Sequence, residues 1–256
     1  AGGACDQTQV AHYDYPAWTL GFDYQATDVL FVYAKTSRAS KSGGWNLRLG
    51  SIPAFDPETV RDVEVGFKSG LFDNRIRFNV ALFHTWLKDT QRVAAAFVGG
   101  TQTTYLVNAG SAKIYGAEFE LTARPWTGME LRGNLSLMHG SYDKGTFKET
   151  QLVGGTPVVI DRSDEPFLQI PKRQISFGAT QRVPTGVGEL SLHADYAFIS
   201  GQHFYTATLA PTAPAAAIAQ TEIGNMLGRI PGYGLLNGRI GLEIEGTGVE
   251  AAIFAR

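Results

Sequence analysis

Residues 72–124 constrain the fold more than any other part of the chain, because apolar and polar residues alternate along them with a period of two. In residues 75–86, one set of alternate positions includes Ile76, Phe78, Val80, Leu82 and Trp86, and the other includes Arg75, Arg77, Asn79 and Thr85. After Gly99 and Gly100, Tyr115, Ala117, Phe119 and Leu121 alternate with Ile114, Gly116, Glu118, Glu120 and Thr122. Since successive side chains of a β-strand point to opposite faces, the pattern predicts a sheet with one apolar and one charged face.

The length of these alternating runs indicates which kind of sheet this is. Strands of soluble sandwiches usually have about 5–6 residues, whereas runs of ten or more fit a wall between lipid and water better. The composition agrees, since 44% of the residues are hydrophobic, 18% are charged and the net charge is −2. No run approaches the ~20 apolar residues of a spanning helix. The predicted fold class is all-β, an antiparallel up-and-down transmembrane β-barrel.

The connections between the predicted strands support this topology. Ten strands are predicted, at 17–25, 29–36, 59–68, 75–97, 101–123, 129–140, 172–183, 188–200, 233–244 and 248–255. Short connections rich in turn-forming residues alternate with the longer segments 37–58, 141–171 and 201–232, and only the brief Gly99–Gly100 connection breaks the order. An up-and-down barrel with tight turns on one side and long loops on the other produces this alternation.

Several motifs resemble one known family. Asp56-Pro57-Glu58-Thr59-Val60, followed by Glu64-Val65-Gly66-Phe67-Lys68, is similar to the "PE…E-x-G-x-K" signature of TonB-dependent outer-membrane receptors. Residues 71–75 and 83–91 resemble the turn and strand that follow this signature, residues 108–110 with 116–120 resemble the next hairpin arm, and residues 37–46 are similar to the upstream loop. The similarity covers residues 17–256, nearly the whole chain.

The resemblance implies an architecture larger than this chain. Members of the family have an N-terminal plug domain inside a barrel of about twenty-two strands. We expect residues 1–16 to be an irregular segment or the remnant of an external loop, and residues 17–256 to be a barrel portion without the plug. Because ten strands would leave two unpaired edges, which lipid does not tolerate, a truncated chain is favoured over a closed small barrel.

The resemblance also implies transport across the outer membrane of a Gram-negative bacterium. The expected function is the energised uptake of a scarce ligand, such as a ferric siderophore. The expected partners are outer-membrane lipid, the ligand and a TonB-type energy transducer that acts through the missing plug region. A complete small passive outer-membrane barrel and a soluble ligand-binding β-sandwich remain alternatives. The nearly neutral charge and the lack of a basic cluster give no indication of nucleic acid binding.

Candidate ligand-binding residues lie in the long loops. Trp45, His203 and Tyr205 are the loop residues that could stack on a ligand or donate a proton to it. The alanine-rich residues 207–219, which include two prolines, predict a flexible or partly helical excursion.

Two other sets of polar residues are interpreted as structural and not as binding sites. His193 and Asp195 are predicted to share the inward face of one strand as two solvated wall residues. In the loop 141–171, three carboxylates, Asp161, Asp164 and Glu165, lie beside Arg162. They could bind a cation, but their spacing lacks the EF-hand pattern, and a solvated loop is the favoured interpretation.

The sequence predicts no catalytic residues, no cofactor and no metal site. The histidines, His12, His84, His139, His193 and His203, have no metal-ligand spacing, and the single cysteine, Cys5, excludes a disulfide framework. No G-x-S-x-G motif occurs. The expectation is therefore that the protein is not an enzyme. Several aromatic residues could form girdles at the membrane interfaces, or could simply reflect strand preference: Tyr24, Tyr33, Trp86, Tyr115, Tyr196 and Tyr233.

Overall fold

The computed structural model describes residues 10–46, 54–98, 101–153 and 156–256. The strands are β1 Trp18–Thr27, β2 Leu30–Lys41, β3 Glu58–Leu71, β4 Ile76–Lys88, β5 Gln91–Val98, β6 Thr101–Asn108, β7 Ala112–Ala123, β8 Met129–Tyr142, β9 Lys148–Val153, β10 Thr156–Asp161, β11 Arg173–Thr185, β12 Gly188–Ile199, β13 Gln202–His203, β14 Arg229–Ile230, β15 Tyr233–Ile244 and β16 Val249–Ala255. One helix, α1, covers Ala215–Leu227. Among the described residues, no helix is long and apolar enough to cross a membrane.

Ten strands form one antiparallel sheet in the order β1-β2-β3-β4-β7-β8-β11-β12-β15-β16. The order follows the chain, so the all-β up-and-down prediction is confirmed, and the alternative of a sandwich of two packed sheets is wrong. The remaining strands form three two-stranded ribbons, β5-β6, β9-β10 and β13-β14. In this sheet β1 and β16 each pair with one neighbour, so the described sheet has two open edges.

The structure corrects two of the predicted strands. Residues 75–97 contain β4 and β5, and residues 101–123 contain β6 and β7. Asp89 has a φ of 56° and Gly110 a φ of 75°, and this left-handed backbone ends β4 and precedes β7. The connection between β4 and β7 is therefore long and carries its own hairpin, so short and long connections alternate without exception. Gly99 and Gly100 lie outside the described residues.

The register of the sheet joins the alternating strands into one continuous apolar face. Val80 lies opposite Phe67 on β3 and Phe119 on β7, and Leu82 lies opposite Val65 and Ala117. At the far end of the sheet the side chain of Ile253 on β16 is 80% exposed. A large exposed apolar face is unfavourable in water and suits hydrocarbon, so we call it the outward face.

The opposite face, the inward face, is polar and cross-linked between strands. Asn79 donates to Glu120 across β4 and β7 at 3.1 Å, and the Lys35 ammonium lies 2.9 Å from Glu64. Such a face suits a water-filled or protein-filled lumen.

Four of the six aromatic residues considered for a girdle lie on the face that a girdle requires. Tyr24, Trp86, Tyr115 and Tyr196 lie in the register of the outward face. Tyr33 and Tyr233 lie in the register of the inward face, and the Tyr33 hydroxyl donates to Glu64 at 2.8 Å. Their assignment to a girdle is therefore wrong.

The outward face gives a depth-dependent prediction. Leu82 occupies the middle outward position of β4, and Phe78 is nearer the turn to β3. In the complete protein in lipid vesicles, Leu82→Arg should lower the free energy of unfolding by about 2–4 kcal/mol, and Phe78→Arg by about 1 kcal/mol, because a cation costs most at the membrane midplane. Urea titration of each variant measures these values.

The matched control is Asn79→Arg, which places the same side chain on the inward face beside Glu120. It should be nearly neutral. Equal costs at Leu82 and Asn79 would contradict the assignment of the two faces.

Candidate functional site

The candidate site consists of the long connections, which all lie at one end of the sheet because consecutive strands are antiparallel. We call the described parts of residues 42–57, 89–111, 143–172 and 200–232 the loop assembly. The opposite end has only the short connections 28–29, 72–75, 124–128, 186–187 and 245–248. Any binding surface built from loops is therefore confined to one side of the sheet.

The first long connection, residues 42–57, is bound to the β5-β6 hairpin by two asparagine side chains. The Asn46 amide donates to the Leu106 carbonyl at 2.9 Å and accepts from the Leu106 amide at 2.7 Å. Asn108 forms the same pair with the backbone of Asp56, at 2.7 and 2.9 Å. Each asparagine side chain binds one backbone N–H and one backbone C=O, as a neighbouring strand would. The hydrogen-bonding groups of Leu106 and Asp56 are thereby satisfied. Trp45, next to Asn46, is half-buried.

A small aromatic core joins the hairpin to the top of β8. The ring of Tyr142 lies 5.0 Å from the rings of Phe147 and Phe167, and Phe147 is only 2% exposed. The Arg92 guanidinium donates to the Tyr142 hydroxyl and lies over both the Tyr142 and Phe147 rings, at 5.3 and 5.1 Å. These contacts fix β5 against the loop that follows β8.

A buried ion cluster joins the third and fourth long loops. Arg162 is 8% exposed, pairs with Glu149, and binds both oxygens of Glu165 at 2.6 and 2.8 Å. The guanidinium also donates to the Thr206 carbonyl at 2.9 Å. The Thr206 and Thr208 hydroxyls donate to Glu165 at 2.8 and 2.6 Å. Because every charge is paired and hydrogen-bonded, the burial is tolerated and the two loops are held in one geometry.

The electrostatics of the cluster favour the ionised carboxylate. Burial by itself raises the pKa of Glu165, but the hydrogen bonds from Arg162 and Thr208, the charge of Arg162 and the bond from Thr206 outweigh it. The pKa of Glu165 therefore lies below its usual value of 4.5.

The structure places two of the three candidate residues, His203 and Tyr205, on the loop that this cluster holds through Thr206 and Thr208. The His203 carbonyl accepts from the Gln169 amide at 2.8 Å, and the residue pairs with Arg229 in the β13-β14 ribbon. Tyr205 is 49% exposed and its ring approaches Gly224 of α1. Trp45 belongs instead to the loop that Asn46 fastens to β6. His203 and Tyr205 thus share one loop, and Trp45 lies on another.

The interpretation of residues 141–171 as a solvated loop is wrong at Arg162 and Glu165, which are buried. Asp164 is exposed, as expected, and Asp161 accepts from the Ser163 amide at 2.9 Å. The described part of the chain has no group of three or more His, Cys, Asp and Glu side chains placed to hold a metal ion.

The inward polar pair is more tightly connected than two solvated wall residues would be. His193 Nε2 lies 3.2 Å from Asp195, and His193 Nδ1 lies 2.8 Å from the Thr180 hydroxyl. Asn237 on β15 donates to the second oxygen of Asp195 at 2.7 Å. The group links three strands on the lumen side and is about one third exposed.

Comparison with known proteins assigns the family. A sequence model described as "TonB dependent receptor-like, beta-barrel" matches residues 1–252. The chain belongs to the TonB-dependent receptor family. Proteins of this family are outer-membrane β-barrels of Gram-negative bacteria.

Solved structures of two receptors and a transporter have the same fold over most of this chain. The ferric yersiniabactin uptake receptor FyuA of Yersinia pestis is 18% identical, with a TM-score of 0.62 over 88% of this chain and 29% of its own. The siderophore receptor PiuA of Acinetobacter baumannii is 17% identical, with a TM-score of 0.62 over 90% of this chain and 30% of its own. The copper transporter OprC is 13% identical, with a TM-score of 0.63 over 91% and 32%. The chain spans about a third or less of the length of these proteins.

Removing the charge of Glu165 should loosen the loop assembly. Glu165→Gln leaves Arg162 paired with Glu149 alone, and removing one partner of a buried pair costs about 3 kcal/mol or more. Limited proteolysis should therefore cut residues 143–172 and 200–232 much faster, while the strands stay protected. Asp164→Asn is the matched control, because this carboxylate is adjacent but exposed. Equal cleavage of the two variants would contradict the structural role of the cluster.

The ion cluster also predicts a pH dependence. Since the folded pKa of Glu165 is depressed, its stabilisation is present above the unfolded value of 4.5 and is lost as the pH falls through the folded pKa. Hydrogen exchange of the loop amides should be equally slow at pH 7 and pH 5 after correction for intrinsic rates, and faster below pH about 4.5. Glu165→Gln should remove this component. A wild-type protein whose loops open between pH 7 and pH 5 would contradict the assignment.

Proposed function

We propose that this chain supplies part of the wall and the external loops of an outer-membrane receptor that takes up a scarce ligand, such as a ferric siderophore, by energised transport. In this proposal residues 17–256 belong to the barrel, and residues 1–16 form an irregular segment or loop. Outer-membrane lipid covers the outward face. The plug, and through it the TonB-type transducer, acts from another part of the receptor.

The observation that supports the proposal is the loop assembly at one end of a two-faced sheet. Binding residues commonly lie on loops that a rigid scaffold positions. Here the loops are tied to one another by Asn46, Asn108 and Arg162. Loops that are ordered before binding reduce the entropic cost of binding a ligand.

The compared proteins favour a ferric siderophore as the ligand class. FyuA is titled a ferric yersiniabactin uptake receptor and PiuA a siderophore receptor, whereas OprC is titled a copper transporter. Tyr205 and its neighbour Phe204 are 49% and 47% exposed, so both offer aromatic surface for stacking. His203 adds a group that can donate or accept a proton.

Uptake of radioactive iron tests the proposal. Cells that produce the complete receptor should accumulate iron supplied as a catecholate, hydroxamate or mixed-type siderophore, and the double variant His203→Ala with Tyr205→Ala should raise the half-saturating concentration about tenfold. Trp45→Ala should act in the same direction. The matched control is Trp126→Ala, which changes an exposed tryptophan of a short turn at the opposite end of the sheet. Equal effects at Trp45 and Trp126 would contradict a binding role for the loops.

A strain without the energy transducer separates the alternatives. Loss of uptake in that strain supports energised transport, whereas unchanged uptake would support a passive barrel. Accumulation of copper but of no ferric siderophore would overturn the ligand class and leave the transport role in place.

A further inference from the structure

The turn end of the inward face carries a cluster of exposed arginines. Arg77 on β4 and Arg132 on β8 lie in one row of the sheet, separated by Thr122 on β7. Arg75 and Arg124 lie in two neighbouring turns, which are joined by a hydrogen bond of 2.8 Å from the Arg124 amide to the Arg75 carbonyl. We call the five exposed arginines at this end of β4, β7, β8 and β11 the arginine patch: Arg75, Arg77, Arg124, Arg132 and Arg182.

The alternation of the strands turns the arginine patch away from lipid. Arg77 lies two positions from Asn79 on β4, and Asn79 donates to Glu120 on the inward face. Arg182 likewise lies two positions from Thr180 on β11, and side chains two positions apart in a strand share a face. Since lipid covers the outward face, a ligand of the patch must come from the aqueous side of the sheet.

The arginine patch has an excess of positive charge. Glu130 accepts from Arg124 at 2.9 and 3.0 Å and from Arg132 at 2.6 Å. Glu189 lies 3.6 Å from Arg182 in an exposed pair, which stabilises little in water. Among the described residues these two carboxylates are the ones that pair with the patch, so five positive and two negative charges leave a net charge of +3.

Two arginines of the patch are available to a partner. Among the described residues, the side chains of Arg75 and Arg77 form no hydrogen bond or ion pair, and both are exposed. Arg75 lines an open cavity of about 290 Å³ together with Arg124 and Arg182. Guanidinium groups with free donors match the geometry of carboxylate oxygens. The cavity can therefore accept a carboxylate side chain.

The charges further along the inward face indicate the side from which an anion arrives. From Arg77 toward the loops, the next inward position of β7 is Glu120 and the one after it is Glu118. An anion that came from the loop side would pass these carboxylates, whereas an anion from the turn side meets the arginines first. The short turns of outer-membrane barrels face the periplasm.

The surface beside the patch favours a protein as the partner. Phe72 belongs to the same turn as Arg75, its carbonyl accepts from the Arg75 amide at 3.0 Å, and its side chain is 71% exposed. Aromatic residues and arginine are enriched in protein interfaces and among the residues that contribute most to binding. The combination suits a peptide segment that carries several carboxylates and an apolar side chain.

We infer that the arginine patch binds an acidic peptide segment of a periplasmic protein on the turn side of the receptor. This inference rests on the outer-membrane orientation in the proposed function. The carboxylates of the segment pair with Arg75, Arg77 and Arg182, and an apolar side chain of the segment packs on Phe72. The energy transducer acts through the plug in the proposed function, so the segment belongs to a different partner.

Binding of labelled hexaglutamate to the complete receptor, purified in a neutral detergent, tests the inference. Hexaglutamate should bind, its affinity should fall as salt is added, and hexaglutamine should not bind. Arg75→Gln, Arg77→Gln and Arg182→Gln should each weaken binding about threefold, the effect of one exposed ion pair, and the triple variant about thirtyfold. Lysine at the same three positions should restore part of the loss, since it keeps the charge.

A second peptide tests the apolar contact. Hexaglutamate with one central phenylalanine should bind more tightly than hexaglutamate itself, and Phe72→Ala should remove this gain. An equal gain in the wild-type protein and Phe72→Ala would overturn the packing on Phe72.

Two variants serve as matched controls. Arg61→Gln removes an exposed arginine from the loop end of β3 and should leave the affinity unchanged. Glu189→Gln releases Arg182 from its ion pair and should strengthen binding. Absence of hexaglutamate binding, or equal affinity of the wild-type protein and the triple variant, would overturn the inference. Tighter binding of hexagalacturonate, which carries six carboxylates on a sugar chain, would overturn the peptide in favour of an anionic glycan.

Iron uptake by cells that produce the same receptor separates this inference from the proposed function. A receptor that takes up a ferric siderophore but binds hexaglutamate independently of the arginine patch keeps its proposed function and loses the peptide site. A receptor that binds hexaglutamate through the patch but takes up no ferric siderophore keeps the peptide site and contradicts the proposed function.

Discussion

The register between neighbouring strands is the constraint on which the rest of this structure depends. A shift of one residue in any pairing would turn every side chain of that strand to the opposite face. Val80 now lies between Phe67 and Phe119 on the apolar face. After a shift of one residue it would instead lie opposite Glu118 or Glu120, which belong to the polar face. The continuous apolar face and the polar lumen side both exist because ten strands keep one register. The short turns help to fix it, and in the turn between β3 and β4 three consecutive residues adopt left-handed backbone, with φ values of 54°, 54° and 62°.

The sheet and the loops are stabilised by different means. Within the described residues, the sheet itself has almost no buried apolar core, because it is one layer with a solvent or lipid environment on each side. The buried apolar residues Ala109, Tyr142 and Phe147 lie instead at the loop end, and the buried Arg162 lies beside Phe147 at 4.9 Å. The sheet therefore depends on its surroundings for its stability, while the loop assembly carries a core of its own. A receptor built in this way can hold its external surface in a fixed shape independently of the lipid around the wall.

The strands of the wall could be predicted from the sequence, but the contacts within the loops could not, for physical reasons. Period-two alternation is a local signal, so the strands of the main sheet could be predicted, and with them the outward direction of Phe78 and the inward direction of Asp195. The division of residues 75–97 into two strands was missed because it depends on the left-handed backbone at Asp89, which the alternation does not reveal. Tyr33 was misassigned because an aromatic residue in a strand fits either face. Arg162 binds groups up to 44 residues away through loop folding, and no spacing pattern encodes such a contact.

The asparagine pairs at Asn46 and Asn108 have a consequence for the environments in which this protein can work. Both connections consist of neutral amide groups bound to backbone, so dissolved ions do not screen them as they screen exposed ion pairs. The ion cluster at Arg162 carries charge, but it is withdrawn from solvent, and buried pairs are screened by salt much less than exposed ones. The loop assembly should therefore keep the same shape from low to high ionic strength, whatever the salt content of the water around it.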